Sequence, residues 1–228
     1  IGNGAMGQRA NFEETYSGET FQGSYIAGIY YPDKTKVGWW KNGYPKYFAK
    51  VLNAPNWIGI NIEINGEDFD LNTCTEVLNY RRELNMKEGW YHRSFQATLK
   101  NGTQVAVDVR RFLSLDLDEA GVINYEITPL NKDAKIIYKP YIDAGVTNED
   151  ANWDEKFWEP LDVKKSGNEA FVTAQTFKTH FKVTTFMQNT IWARGEKQNM
   201  SPTSVDTKAD KILFYYDVIV AKGEKSGI

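Results

Sequence analysis

The sequence predicts an all-β fold, a large antiparallel β-sandwich of the super-sandwich type with few short helices. Three observations carry this reading. Apolar and polar residues alternate strictly over 58–64 and 105–110, which is the period of a half-buried strand. Asn-Gly pairs stand at 65–66 and 101–102, directly after strand-like runs, where tight hairpins need them. No long window shows helical periodicity. At 228 residues the chain is long enough for one such domain, because sandwiches of about 200–250 residues are commonly single units.

Taken in order, residues 1–30 carry six glycines, at positions 2, 4, 7, 18, 23 and 28, which in β territory permit bends and close backbone packing. The following stretch, 30–56, is rich in Gly, Pro, Lys and aromatics and reads as a long loop. Ile58, Ile60, Ile62 and Ile64 then share one strand face, and Phe69 and Leu71 begin a return strand. A second hairpin pairs 93–99 with the run of Val105, Val107 and Val109. Further strands are expected at 122–128, 134–142, 170–176, 180–190 and 211–221, each bounded by Gly, Asn, Asp or Pro. Residues 148–159 and 194–210 read as two more loops. Short helices are expected near 47–52 and 116–120.

The composition narrows the function. With 27 Lys+Arg against 30 Asp+Glu, the net charge of −3 provides no basic field for nucleic acid or anionic lipid. The longest apolar run falls far short of the ~18 residues of a membrane-spanning helix, so a soluble protein is expected, with cytoplasm and periplasm both open. The single cysteine, Cys74, can form neither an internal disulfide nor a thiolate metal cluster. His92 and His180 lack ligand spacing and read as sheet residues, so no metal and no cofactor are expected. No nucleophile elbow or phosphate-loop pattern is present. Adjacent carboxylates occur at Glu13-Glu14, Asp68/Asp70 and Asp116/Asp118, but sequence proximity alone does not make the opposed pair that sugar hydrolysis requires.

The start of the chain is the most distinctive segment. Gly2, Gly4 and Gly7 fit the spacing of a dinucleotide loop, yet no βαβ unit follows. Gly2, Asn3, Gly4, Gly7, Arg9, Glu13 and Glu14 instead read as a structural signature, with Arg9 held by Glu13 or Glu14 as an ion pair. This segment resembles the signature of the N-terminal domain of glycoside hydrolase family 65, Gly-Asn-Gly-x-x-Gly-x-Arg-Gly-x-x-Glu-Glu, with Ala10 in place of the usual Gly. Similar landmarks follow in family order at 16–18, 23–30, 53–57, 78–82 and 128–131.

That resemblance implies the single N-terminal β-sandwich domain, over 1–228, of a larger enzyme, truncated at both ends and lacking the catalytic (α/α)6 barrel. Its implied function is non-catalytic: to support the barrel, the pocket rim and a homodimer interface in a protein that phosphorolyses or hydrolyses an α-linked glucose disaccharide with inversion. The expected partners are thus the barrel of the same polypeptide, a second copy and the disaccharide. No catalytic residue is expected within the chain. The alternative is an independent carbohydrate-binding module. Trp39, Trp40, Tyr44 and Tyr47 in one loop, with Trp153 and Trp158 in another, are the candidate platforms for a neighbouring domain or a sugar face. Exposed sheet edges are expected to be unusually apolar.

Overall fold

The computed structural model describes residues 1–35, 43–148 and 155–228. Among the described residues, nineteen strands run in chain order: β1 Met6–Gln8, β2 Ser24–Ile26, β3 Tyr30–Lys34, β4 Tyr47–Val51, β5 Ile60–Ile64, β6 Glu67–Asp68, β7 Glu76–Asn85, β8 Trp90–Thr98, β9 Gln104–Leu113, β10 Gly121–Pro129, β11 Ala134–Asp143, β12 Trp158–Ser166, β13 Glu169–Thr176, β14 Lys182–Gln188, β15 Ile191–Ala193, β16 Glu196–Gln198, β17 Ser204–Thr207, β18 Lys211–Val220 and β19 Ser226–Gly227. A single 3-10 turn, Leu71–Thr73, is the one helical element among the described residues, and Asp70 caps it by accepting from the Asn72 amide.

Two sheets make the sandwich, one of seven strands in the order β16-β15-β19-β10-β9-β8-β7, the other of five in the order β17-β18-β11-β5-β6. Alternation dictates which side chains meet between them. Phe95, Val105, Val107, Val109, Tyr125 and Ile127 from the first sheet share one core with Ile62, Ile64, Ile136, Tyr138, Phe214 and Tyr216 from the second. Tyr138 spans the gap, its hydroxyl 2.7 Å from the Ser226 hydroxyl on β19. A three-stranded sheet, β12-β13-β14, adds Ala170, Val172 and Ala174 to the same core. All pairings between named strands are antiparallel.

The two Asn-Gly pairs build different turns. Asn65 and Gly66 both adopt left-handed φ, 51° and 80°, the two-residue turn that matches strand twist. Asn65 also ties the hairpin to the neighbouring strand, since its side-chain oxygen accepts from the Lys135 amide at 2.8 Å. At the second pair only Gly102 is left-handed, at 75°, and the Gly102 amide donates to the Leu99 carbonyl, so a three-residue connection closes β8 onto β9. Gly66→Ala is expected to cost about 1–2 kcal/mol because of its left-handed backbone. The expected readout is a lower urea midpoint with unchanged slope; an unshifted midpoint would show that the turn tolerates a side chain.

Several expectations are corrected. Within the expected helix 47–52, residues Tyr47–Val51 form strand β4 instead, and 30–56 contains the β3–β4 hairpin, in which Tyr30 pairs with Val51 and Lys34 with Tyr47. Residues 116–120 make a turn whose Asp116 and Leu117 amides donate to the Ser114 hydroxyl. Trp158 begins β12, and 194–210 contains β16 and β17. His180 sits in the β13–β14 turn with φ 54° rather than within a strand.

The edge strand β7 is exposed on both faces over most of its length. Val77, Leu78, Tyr80 and Leu84 are 37–55 % exposed. Two features blunt this edge against pairing: a bulge where the register shifts between Leu78 and Arg81, with Asn79 left-handed at 54°, and the charged run Arg81-Arg82-Glu83.

Candidate functional site: a buried charge network and two aromatic surfaces

The glycine-rich start folds into a clamp, not a phosphate loop. Gly2 bridges Gly7, Gly4 takes φ 94°, and β1 pairs with β2. Asn3 holds the turn from both ends: its side-chain oxygen accepts from the Met6 amide at 2.7 Å, while its nitrogen donates to the carbonyls of Ser114 and Asp118 at 2.7 and 2.9 Å. The segment thereby reaches the far end of β9.

Glu13 and Glu14 follow on an irregular segment pinned to β5 by the Ile60 amide, which donates to the Glu13 carbonyl at 2.8 Å. Both are buried, at 1 and 4 % exposure. The arginines that hold them are Arg93 of β8 and Arg111 of β9, which corrects the expected pairing with Arg9. Arg93 forks onto Glu14, with Nη1 donating to Oε1 at 2.6 Å and Nη2 to Oε2, and also donates to Glu13 Oε2 at 2.8 Å. Arg111 donates to Glu13 Oε1 at 2.7 Å and to the Arg9 carbonyl at 2.9 Å. The four carboxylate oxygens are thus each engaged by a guanidinium. Aromatic rings seal the cluster: the Arg93 guanidinium lies 4.4 Å from the Phe12 ring centre, and that of Arg111 5.1 Å from Tyr91. Arg9 itself lies 5.6 Å from the ring centre of Tyr25.

Burial pulls the Arg93 pKa down, but the charges of Glu14 and then Glu13 outweigh it and hold the guanidinium well above its ordinary value. For Arg111 burial is again the largest influence, and with Glu13 as its main counter-charge the net effect is a lowering. Neither arginine loses its charge at any pH the fold would experience. A glutamate pair saturated in this way, with no solvent contact, has no free oxygen to offer a substrate. It is a structural centre.

Asn53 is a second hub. Its amide donates to Asn148 Oδ1 at 2.9 Å, its side-chain oxygen accepts from the Ser24 amide at 2.9 Å, and its side-chain nitrogen donates to Gln22 Oε1 at 2.6 Å and to the Thr147 carbonyl at 3.0 Å. Trp158 completes it, the indole Nε1 donating to the Asn53 carbonyl at 2.8 Å. Trp158 is 5 % exposed, so this residue packs inside and presents no platform to a sugar or a neighbour, contrary to its expected place on the rim.

Of the other expected platforms, Trp39, Trp40 and Trp153 lie outside the described residues. Tyr44 and Tyr47 are both exposed, at 57 and 50 %. Tyr47 shares one face of the β3–β4 hairpin with Tyr30 and Val51, all more than 40 % exposed, as are Phe48 on the opposite face and Phe177 in the neighbouring β13–β14 turn. The two pieces are joined: Tyr30 meets Phe181 edge-on at 5.4 Å, the Thr179 hydroxyl donates to the Tyr30 carbonyl at 3.1 Å, and the Lys178 ammonium sits 4.5 Å from the Tyr31 ring centre. Sequence reasoning missed Tyr30, Phe48 and Phe177, although 47–51 carries two aromatics and a Val in five residues, which is strand composition.

Carboxylates also meet on the outward face of the seven-stranded sheet. Asp108 and Glu126 are direct cross-strand partners and line one shallow depression. His92 Nε2 lies 2.8 Å from Asp108 Oδ2, and the Lys225 ammonium 3.2 Å from Glu126 Oε2. Among the described residues no group of three or more His, Cys, Asp or Glu is placed to hold a metal ion, and no helix is long and apolar enough to cross a membrane.

Comparison with known proteins agrees with the fold and the signature. The family described as Glycosyl hydrolase family 65, N-terminal domain, matches residues 1–228. Maltose phosphorylase of Bacillus subtilis (strain 168) is 46 % identical over 181 residues, covering 79 % of this chain and 24 % of that protein. Alpha,alpha-trehalose phosphorylase of Thermoanaerobacter brockii is 29 % identical over 234 residues, 98 % of this chain and 30 % of its own length. Kojibiose phosphorylase of Escherichia coli (strain K12) is 33 % identical over 148 residues, 64 % of this chain and 18 % of that protein. The matched segment thus spans less than a third of each. A solved structure, a putative kojibiose phosphorylase from human microbiome, superposes with a TM-score of 0.82 at 22 % identity over all of this chain and 29 % of that one, which shows a shared fold. This chain belongs to glycosyl hydrolase family 65 and forms the N-terminal domain of that family.

Proposed function

We propose that the domain is a non-catalytic support for a catalytic helical barrel elsewhere in the same polypeptide, in a protein that phosphorolyses or hydrolyses an α-linked glucose disaccharide with inversion. The observation that carries this reading is the exposed apolar face that Tyr30, Tyr47 and Val51 share on the β3–β4 hairpin. An exposed apolar strand face held against the β13–β14 turn has the chemistry of an interdomain contact, since apolar surface of this kind is stable when it is covered by another folded unit. Relatives named as maltose, trehalose and kojibiose phosphorylases, each several times longer than the matched segment, support the presence of such a unit and the substrate class. A homodimer contact belongs to the same reading, with the exposed side chains of Val77, Leu78, Tyr80 and Leu84 on β7, rather than its unpaired backbone edge, as a second surface.

The test substitutes Tyr47→Asp and Val51→Asp, which share one face, in the full-length protein. Both side chains are exposed, so the 228-residue chain carrying them is expected to keep its urea midpoint. Turnover of maltose, kojibiose or trehalose, with or without phosphate, is expected to fall at least about tenfold, as when central residues of an interface are lost. Unchanged turnover together with an unchanged melting profile of the full-length protein would overturn the docking role.

A further inference from the structure

We infer that the outer half of the β3–β4 hairpin is an arm clasped on both of its faces, in an apolar cleft with an acidic rim that belongs to the catalytic unit proposed above. Directly paired residues share a face, so the register divides the side chains: Tyr47 and Ala49 stand on one face with Lys34, and Phe48 stands on the other with Asp33. Residues 43–49 are exposed without interruption, whereas Lys50, the next in sequence, is buried. Lys50 anchors the base of the hairpin. Its ammonium meets the Asp33 carboxylate, lies 3.9 Å from that of Glu155 and sits 5.2 Å from the Phe157 ring centre, and the Tyr31 ring lies 4.7 Å from the same Phe157. Beyond that anchor, β4 projects from the sandwich with both faces open.

Three features commit the arm to this occupant. A strand that lies flat on a partner needs one apolar face, yet here Phe48 places a second large aromatic on the face opposite Tyr47, and both rings are exposed. A two-stranded hairpin standing alone is marginally stable in water, so one that is open on both faces beyond its base is completed by contacts on both. Charge specifies the rim. Lys34 is the direct cross-strand partner of Tyr47, and the Lys46 ammonium lies 5.7 Å from the Tyr47 ring centre. Both lysines are exposed, and neither meets a carboxylate among the described residues, so the complementary surface carries acidic groups. Length specifies the source. The matched segment is 24 % of one phosphorylase and 30 % of another, so a polypeptide of that kind has most of its length outside this domain to build the cleft. The inference rests on the docking reading and adds to it the second face and the acidic rim.

Amide hydrogen exchange, followed by mass spectrometry in the 228-residue chain and in the full-length protein, tests this. The amides of 31–34 and 47–50 are expected to exchange at least about tenfold more slowly in the full-length protein, and the difference should survive dilution. Phe48→Asp and Tyr47→Asp, on opposite faces, should each remove that difference in the full-length protein, and Lys34→Glu combined with Lys46→Glu should reduce it. Exchange of β11 and β18 is the control for folding and should stay unchanged in every variant. Loss of protection with Tyr47→Asp but not with Phe48→Asp would overturn the clasp and leave docking by one face in place. Undiminished protection in the doubly charge-reversed variant would overturn the acidic rim. Protection that disappears on dilution would put the arm on a second copy and overturn the assignment to the same polypeptide. Equal exchange in the two proteins would overturn the inference outright.

Discussion

Arg93→Ala is expected to destabilise the domain by about 3–5 kcal/mol, because truncating one partner of a buried ion pair leaves the opposite charge uncompensated in a low-dielectric interior. Here the loss is compounded, since Arg93 serves Glu14 through both oxygens and Glu13 through one. Arg111 reaches Glu13 alone of the two, so Glu14 would keep no cation from this cluster. A loss of this size is a large part of the 5–15 kcal/mol that holds a typical domain together, and poor soluble yield is an expected companion. Arg93→Lys should recover little of it, because a single ammonium cannot reproduce the forked contact with two carboxylates.

The informative contrast is with Arg93→Met combined with Glu14→Leu, which removes charge of both signs. Burying a pair costs desolvation that its mutual attraction only partly offsets, so apolar replacement of the pair should cost far less than Arg93→Ala. Urea denaturation of the three variants decides the matter: equal losses for Arg93→Ala and the double variant would show that the uncompensated charge of Glu14 is not what Arg93→Ala costs.

The same residues show how far the fold can be read from sequence. Alternation at Ile60, Ile62 and Ile64 and the left-handed pair Asn65-Gly66 are local, so they were legible and fall where the pattern puts them. The β3–β4 hairpin was obscured by Pro32 and by the Gly- and Lys-rich composition around its tip, although Pro32 is tolerated in a two-stranded edge. Strand β7 has side chains exposed on both faces, so no period-2 burial signal exists to find. The network around Glu13 and Glu14 was half legible: the signature marked the acidic residues, but charge alone argued for exposure of the arginines. The missed signal is phase. Arg93 alternates in step with Tyr91, Phe95 and Ala97, and Arg111 with Val105, Val107 and Val109, so both face the core. Trp158 failed for the opposite reason: aromatic bulk beside Trp153 suggested a surface, whereas the indole is spent on the Asn53 carbonyl, a partner 105 positions away.

Alkaline pH is expected to unfold the domain steeply. Tyr125, Tyr138 and Tyr216 are each 0 % exposed. Burial raises the pKa of all three, that of Tyr216 to about 12, with the nearby Glu14 adding to the rise for Tyr125. A tyrosine is neutral when protonated, so burial favours the form that keeps its proton. In the unfolded chain these phenols titrate near pH ~10. Above that pH the unfolded state sheds protons that the folded state retains, and stability must fall as pH rises. Each phenol contributes about 1.4 kcal/mol per pH unit, and three together about 4. The decline begins near pH 10 and continues to about 12, where Tyr216 starts to ionise in place. Below pH 10 these groups add no slope. Urea titrations at stepped pH give the stability directly, and the part of the near-ultraviolet tyrosinate absorbance that comes from these three phenols should rise together with unfolding rather than ahead of it. Tyr138→Phe should remove about a third of the slope that these three contribute, at the cost of the hydrogen bond to Ser226. A stability curve that stays flat through pH 11, or buried phenols that ionise without loss of near-ultraviolet dichroism, would mean that water reaches the core these residues close.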